Sequence, residues 1–274
     1  MTITTAVYAT REDIKGAAEY KETARSNAAI DRALEAGARD IEGQLNRRFY
    51  PLTATRYFDW PNHQLARPWR LWLDEWELAS VTALVSGGTT IASTDYFLEP
   101  ANSGPPYNRI EIDLDSSASF ASSGTHQRSI AVTGEFAGCA INHAPAGLLA
   151  EALDVSETGV DVTDSASIGI GSIIKCESER MIVTGKTALT TGQTVITSAL
   201  TASAANESVL VTSAAGFTVG ELLTVDSERM LLVDITSNTL TVKRAWDGST
   251  LAAHNTGVTI YAGRTLTVIR GALG

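Results

Sequence analysis

The sequence predicts an α+β protein, with an N-terminal helical domain that carries a small antiparallel sheet, followed by an all-β domain made of tandem repeats. Three observations support this prediction. Apolar residues recur at helical spacing in the first 50 residues, and short runs with strand-like alternation follow Pro51. Residues 159–181 and 208–230 align without a gap, and both copies are rich in the β-branched residues that favour strands.

Charge and composition narrow the class of protein. The chain has 274 residues and a formal net charge of −10, with 21 acidic and 13 basic residues through position 158. This acidic first half lacks the clustered Lys and Arg that grip phosphates, which argues against specific nucleic-acid binding but allows a surface that DNA slides past. No apolar stretch approaches the roughly 18 residues that span a membrane, and no signal peptide is evident. We therefore expect a protein made in the cytoplasm, with no membrane partner.

Two helices are predicted near the N-terminus. The capping-box-like segment Thr10-Arg-Glu-Asp13 indicates a short helix to about Tyr20, and Ser26 or Asn27 is expected to cap a longer helix. We expect the apolar stripe of the longer helix to pack against the sheet, with a binding face as the alternative. The stripe consists of Ile30, Leu34, Ala38, Ile41 and Leu45.

A half-buried antiparallel sheet is predicted to complete the first domain, which we place at residues 1–153. Gly87-Gly88 and residues 103–106 supply turns between its strands. Residues 145–153 are predicted to form two helical turns before a domain boundary at residues 154–160. The predicted strands are residues 55–60, 80–85, 95–98, 109–114 and 129–133.

Four of the five tryptophans fall within 17 residues, close to Arg67 and Asp74. Aromatic residues beside Arg are enriched at protein interfaces, so one hypothesis is a subunit contact. The other hypothesis is that these side chains close the edge of the hydrophobic core. The four residues are Trp60, Trp69, Trp72 and Trp76.

The second domain is predicted to be a set of small β modules at residues 159–274. Its copies are placed at about 159–207 and 208–262, with a partial third copy at 263–274. The third copy is indicated because Thr265-Leu-Thr-Val268 repeats Thr239-Leu-Thr-Val242 and the pattern then breaks off, so that a longer product or a partner would complete it. An unfinished module offers an unpaired strand edge. We therefore expect a partner to bind the edge formed by Thr265, Leu266, Thr267 and Val268.

The sequence offers no catalytic, cofactor-binding or metal-binding residues. The four histidines are scattered, the common nucleophile and phosphate-loop motifs are missing, and Cys139 and Cys176 are expected to be buried free thiols. Glu177-Ser-Glu179 and Asp226-Ser-Glu228 pair two carboxylates each, but both pairs lie in apolar strand sequence rather than in a calcium loop. We expect these acids to form ion pairs with Arg across a hairpin, and we expect a protein that is not an enzyme.

Ile41-Glu-Gly-Gln-Leu-Asn-Arg-Arg-Phe-Tyr50 closes the longer predicted helix and is followed by a strand that contains Tyr57. The segments 80–85, 95–98, 110–114 and 132–138 come next. In this order they resemble the head-tail connector proteins of tailed bacteriophages, an adaptor family that docks under the portal. The resemblance covers roughly residues 8–153. Connector relatives usually continue with a substantial helix, which here is reduced to about 145–153 or displaced by the repeats.

The second half resembles a short β module of phage structural proteins. The shared features are an acid-Ser-Glu-x-Met strand, a Thr-Leu-Thr-Val-x-Arg strand, and the segment Gly248-Ser-Thr-Leu-Ala-Ala-His254. Both resemblances point to a component of the virion rather than to an enzyme.

The resemblance implies a structural virion protein at the head-tail interface, or neck, assembled in the host cytoplasm. Twelve copies would form an adaptor ring between the portal protein and the stopper or tail protein, and double-stranded DNA would pass through the ring during ejection without specific binding. Carboxylates that face such a channel would repel phosphates and let the duplex slide. The candidate channel-facing acids are Asp31, Glu35, Asp40 and Glu42.

Two alternatives remain open. The first is a receptor- or glycan-binding accessory protein of the virion that binds through its tandem β modules. The second is a hydrolase, which would need a convergent polar site that the sequence does not reveal.

Overall fold

A computed structural model describes residues 3–17, 24–60, 67–195, 200–205 and 207–274. The described residues form fifteen strands and two α-helices, and the protein is mostly β, with 38% strand and 12% helix. The predicted α+β class with an N-terminal helical domain is therefore wrong. Both predicted N-terminal helices exist, but the sheets that follow them are too extensive for the helices to define a domain.

Helix α1 (Arg11–Ala17) begins at the predicted capping box. The Asp13 amide donates to Thr10 Oγ1 at 3.1 Å, and the Thr10 amide donates to Asp13 Oδ2 at 2.9 Å. These reciprocal bonds satisfy amides that the first helical turn leaves without a partner. The predicted end near Tyr20 lies outside the described residues.

Helix α2 (Ala24–Leu45) begins before its predicted caps, so Ser26 and Asn27 lie inside the helix. Of the predicted apolar stripe, Ala38 is buried, whereas Ile41 is 43% exposed and Leu45 is 55% exposed. The expectation that the whole stripe packs against the sheet is therefore wrong for the C-terminal half of the helix. Among the residues described, no helix is both long and apolar enough to cross a membrane.

The chain forms two compact units. The first contains the residues up to Ala38 together with Ala144–Ala272, and the second contains Arg39–His143 together with Leu273 and Gly274. The N-terminal helix α1 is thus grouped with the repeats, whereas the sequence placed a boundary at residues 154–160.

The second unit contains two antiparallel sheets, with strand orders β1-β7-β3-β4 and β2-β6-β5. Alternate residues of β7 are buried, among them Ile130, Val132 and Phe136, as expected for a half-buried strand. All five predicted strand segments overlap strands of these sheets, which confirms this part of the prediction. The strands are β1 (Leu52–Phe58), β2 (Arg70–Trp72), β3 (Leu78–Ser86), β4 (Thr89–Ile91), β5 (Tyr96–Glu99), β6 (Arg109–Ile112) and β7 (Ile130–Phe136).

The helix predicted at residues 145–153 does not form. Gly147 has a φ of 122°, which is incompatible with a right-handed helix. The Ala150 amide instead donates to the Asp161 carbonyl at 2.8 Å, and Leu149 bridges to Val162. The segment meets its backbone hydrogen-bonding requirement by pairing with the first strand of the repeats, so the helical prediction is wrong.

The repeats form one antiparallel sheet of eight strands in the first unit. Its order is β11-β14-β13-β12-β15-β10-β9, and β8 also pairs with β15. The strands are β8 (Gly159–Asp161), β9 (Ile173–Cys176), β10 (Glu179–Thr194), β11 (Ser208–Leu210), β12 (Leu222–Val225), β13 (Glu228–Thr236), β14 (Thr239–Lys243) and β15 (Thr259–Ile269).

The aligned copies have the same local structure. Gly171 and Gly220 adopt φ angles of 105° and 101°, and Met181 and Met230 are both fully buried. Strands β9 and β10 pair as β12 and β13 do. We call β8, β9, β10 and the second half of β15 the first module, and β11 to β14 the second module. Each module has a separate hydrophobic cluster.

The predicted third copy is in fact the fourth strand of the first module. Leu266 pairs with Val160 of β8 on one side and with Lys186 of β10 on the other, as Leu240 of β14 lies between β11 and β13. The second module is therefore inserted between the third and fourth strands of the first. The unpaired edge predicted at Thr265, Leu266, Thr267 and Val268 is wrong, because this strand is central and Leu266 and Val268 are buried.

Candidate functional site

Asp31 was predicted to face a DNA channel, but its side chain is buried. Arg11 Nε donates to Asp31 Oδ1 at 2.8 Å, and Arg11 Nη2 donates to Oδ2 at 2.6 Å. This bidentate pair fastens α1 to α2. Because this carboxylate is buried and its charge is balanced by Arg11, Asp31 is not placed to repel passing DNA.

The other three predicted acids differ in their surroundings. Glu35 Oε1 accepts hydrogen bonds from the Thr4 amide at 2.6 Å and the Thr5 amide at 3.3 Å, and so holds the N-terminal segment on the helix. Glu42 accepts a bond from Arg39 Nη2 at 2.8 Å. Asp40 is exposed. Of the four acids, Asp40 is thus the one placed best for the predicted role, which stays a prediction.

The four clustered tryptophans have distinct environments. Trp60 is buried and lies 5.1 Å from the Phe120 ring, and Trp69 and Trp76 pack at the border of the same core. The guanidinium of Arg56 lies 3.5 Å from the Trp76 ring centroid, within cation–π range. Trp72 is partly exposed beside Arg109. Three of the four side chains thus serve the core, and the partly exposed rings remain candidates for an interface.

The predicted acid–Arg ion pair across a hairpin is confirmed in the second module, where β13 and β14 are consecutive strands. In the first module Glu179 also pairs with an Arg, but β10 and β15 do not form a hairpin, because the second module lies between them in the sequence. Arg244 Nε and Nη2 donate to the two oxygens of Glu228 at 2.8 and 2.7 Å. Arg270 Nε and Nη2 donate to those of Glu179 at 3.0 and 2.5 Å. In each case the arginine is the residue directly after the fourth strand of the module. This pairing explains why the Glu and the Thr-Leu-Thr-Val-x-Arg pattern occur together in both copies.

Glu228 is the centre of a buried polar cluster that the sequence analysis missed. His254, which is also buried, places Nε2 2.8 Å from Glu228 Oε2 and Nδ1 2.7 Å from Asp226 Oδ2. Burial alone would raise the pKa of Glu228. Hydrogen bonds from Arg244, His254 and the amides of Ala252 and Ala245 outweigh burial and lower that pKa to about 2. The cluster ties the loop before His254 to strand β13, which gives the Gly248–His254 segment a structural role.

A second buried ion pair joins the two modules. Arg264 of β15 donates through Nε and Nη2 to the oxygens of Glu221, at 2.7 and 2.6 Å, and the Ser165 amide donates to Glu221 Oε1 at 3.2 Å. Glu221 is fully buried. Sequence alignment could have drawn attention to this residue, because Ser172 occupies the equivalent position of the first copy.

A cavity of about 1100 Å³ lies in the first unit, lined by α1 and by loops and strands of both modules. Lys186 Nζ donates to the carbonyls of Ser165 and Ile168 at 2.9 and 2.6 Å, and burial lowers the pKa of this ammonium. Asp247, another residue of the lining, accepts bonds from Lys15 and Arg229. With Trp246 among its lining residues, the cavity offers an aromatic ring and several polar groups to a ligand.

The most exposed apolar feature of the helices is on the C-terminal half of α2. Ile41 and Leu45 are one turn apart and so lie on the same face, and both are strongly exposed. The sequence revealed the stripe itself, but it could not show that this half lacks a cover within the described part of the chain.

Comparison with protein-family models, with curated proteins and with solved structures finds no match to this chain. The proposals for its function therefore depend on its own residues and on the resemblance in segment order.

Proposed function

We propose that the chain is a structural connector protein of a tailed-phage virion. Twelve copies form an adaptor ring between the portal and the stopper or tail, and the genome passes through the ring during ejection. The order of segments between residues 8 and 153 supports this role, as does the pair of modules that resemble those of phage structural proteins. The observation that carries the proposal is the exposed apolar face formed by Ile41 and Leu45 on helix α2.

This face is suited to repeated subunit contact. Covering a Leu or Ile side chain completely is worth about 1.5–3 kcal/mol, so burying two half-exposed side chains supplies a useful part of a subunit interface. In a ring, each subunit presents one surface to the next and a different surface to the previous one, so the same gain recurs at every contact. The neighbouring Arg39–Glu42 ion pair provides a polar rim for such an interface.

The net charge supports passage of DNA rather than its retention. With a formal charge of −10 per chain, a ring of copies produces a negative field that repels the duplex. Exposed carboxylates such as Asp40 would keep the lining free of tight phosphate contacts.

Electron microscopy of the protein mixed with its portal tests the proposal. We expect the wild-type chain to add a ring to the portal, and we expect Ile41→Glu combined with Leu45→Glu to abolish ring addition while the fold is retained. Substitutions at exposed positions usually change stability by less than about 0.5 kcal/mol. Val155→Glu is the matched control, because Val155 is also an exposed apolar residue but belongs to the segment before β8 rather than to α2. A wild-type chain that leaves the portal bare, or a double variant that still forms rings, would contradict the proposal.

A second candidate function is favoured by the cavity of the first unit, which has the volume and the mixed aromatic and polar lining of a ligand site. In this case the chain would be an accessory virion protein that binds a receptor or glycan through its β modules. Binding to a glycan panel, with loss of binding on Trp246→Ala, would support this function, whereas portal binding without glycan binding would favour the connector.

A further inference from the structure

The two modules differ at one edge of the sheet. In the second module, strand β12 pairs with β13 on one side and with the first half of β15 on the other, through Leu223–Val225 and Ile260–Ala262. In the first module, the equivalent strand β9 pairs with β10, and no other strand in the described part of the chain pairs with it. The first module therefore has an open strand edge where the second has a covered one.

Equivalent side chains of β9 and β12 also differ in burial. Leu223 and Val225 of β12 are each 1% exposed, in a strand that has β13 on one side and β15 on the other. Their equivalents in β9 are Ile174 and Cys176, which pack against the core of the first module but remain partly exposed. Ile174 and Cys176 thus pack on the core as Leu223 and Val225 do, but among the described residues β9 lacks the second neighbouring strand that β12 has.

The hydrogen-bonding groups of β9 that face outward can be identified. The Gly171 amide donates to the Val183 carbonyl at 2.8 Å, and the Val183 amide donates to the Ser172 carbonyl at 2.9 Å. Antiparallel strands alternate between bonded and non-bonded pairs, so Ile174 and Cys176 direct their backbone groups toward β10. Ile173 and Lys175 therefore direct theirs to the open side. Unpaired amides and carbonyls of this kind form a template for strand addition.

We propose that the open edge of β9 binds an extended strand of a partner protein, which runs antiparallel to Ile173–Cys176. The covering segment of the second module shows the chemistry that fits. Thr259-Ile-Tyr-Ala262 places Ile260 and Ala262 in the core and leaves Tyr261 exposed. The partner strand accordingly has a β-branched and a small apolar residue at alternate positions, with a polar or aromatic residue opposite Lys175. This inference does not depend on the connector role, since it follows from the comparison of the two modules.

The probe is a peptide with the sequence of residues 258–264, Val-Thr-Ile-Tyr-Ala-Gly-Arg, with blocked ends. We expect millimolar peptide to cause saturable changes in the backbone amide NMR signals of Ile173–Cys176 in the full chain. Lys175→Pro should abolish these changes, because proline removes an outward-facing N–H without removing a bond to β10. Lys175→Ala is the matched control and should bind as the wild type does. Unchanged signals at β9 in the wild type, or equal binding to Lys175→Pro, would overturn the proposal.

A thiol measurement keeps the proposal testable if the proline variant does not fold. In a Cys139→Ser background, Cys176 is the single thiol of the chain, and peptide bound at β9 should slow its reaction with a maleimide. An unchanged labelling rate at millimolar peptide would overturn the proposal. Protection of Cys176 that increases with the concentration of the protein itself, in the absence of peptide, would overturn the assignment to a partner and point to a second copy of this chain.

Discussion

The two modules share one sequence pattern but are completed in different ways. The second module takes its four strands from consecutive sequence. Its Glu228–Arg244 ion pair is buried, and the Glu228 side chain is 0% exposed. The first takes its fourth strand from beyond the inserted second module, and its Glu179 side chain remains 30% exposed. The comparison shows that the repeat determines which residues pair, whereas the surrounding chain determines how deeply the pair is buried.

The largest expected effect comes from charging the fourth strand of each module. Leu266→Asp places a carboxylate in the core of the first module, which should cost more than about 4 kcal/mol and unfold that module. Leu240→Asp is the matched variant in the second module. Hydrogen exchange should show protection lost in β8 to β10 for the first variant and in β11 to β14 for the second. Simultaneous loss throughout both modules in both variants would show that they unfold as one unit.

The equivalent glutamates should differ in their contribution to stability. Glu228→Gln breaks a buried ion pair and should cost about 3–5 kcal/mol. Glu179→Gln breaks a partly exposed pair and should cost no more than about 1 kcal/mol. Urea unfolding of the two variants measures the difference. Equal losses would indicate that burial of the pair is not what distinguishes the modules.

The stability of the protein should depend on pH through Glu228. The folded-state pKa of Glu228, about 2, lies below its ordinary value of 4.5. Its contribution is therefore complete above about pH 4.5 and is lost as the pH falls toward 2, by an amount on the order of a few kcal/mol. Urea midpoints between pH 7 and pH 3 should fall less steeply for Glu228→Gln than for the wild type. Parallel curves would show that other carboxylates account for the acid sensitivity.

The smallest expected difference separates the two equivalent turn glycines. Both have positive φ, so alanine at either position should cost about 1–2 kcal/mol in backbone strain. A Cβ at Gly171 would also lie 2.8 Å from Val7 Cγ2, whereas the nearest atom to a Cβ at Gly220 is 3.7 Å away. Gly171→Ala should therefore be the more destabilising by about 1 kcal/mol or more. Thermal unfolding of both variants, with and without Val7→Ala, checks whether the N-terminal segment causes the difference.

Several local features could be predicted because they depend on neighbouring residues. The capping box at Thr10 and Asp13 formed as expected, and so did the strand segments between residues 55 and 133, since alternation and turn residues act over short distances. An acid–Arg pair in each copy could be predicted as well, because the motif with the acid occurs twice, but the sequence did not indicate that Arg270, from beyond the inserted module, is the partner of Glu179. The α+β class was wrong because it gave two real helices more weight than the extent of the sheets justified.

The candidate site was less predictable. Asp31 and Asp40 are on the same helix and look alike in sequence, yet one is buried against Arg11 and the other is exposed. Which acid meets solvent depends on how the N-terminal segment folds back onto α2. Periodicity within the helix does not contain that information.

The sequence by itself determined the repeat, the β-rich second half and the pairing of Glu179 and Glu228 with arginines, because these depend on residue type and spacing. Only the tertiary structure decided that Thr265–Val268 completes the first module instead of beginning a third. The neighbours of a strand are determined by the sheet edge that it pairs with and by the core that it covers. Two identical Thr-Leu-Thr-Val segments therefore do not indicate which core each one covers. The open edge of β9 could not be predicted from the sequence for the same reason, since it depends on a neighbouring strand that the first module lacks among the described residues.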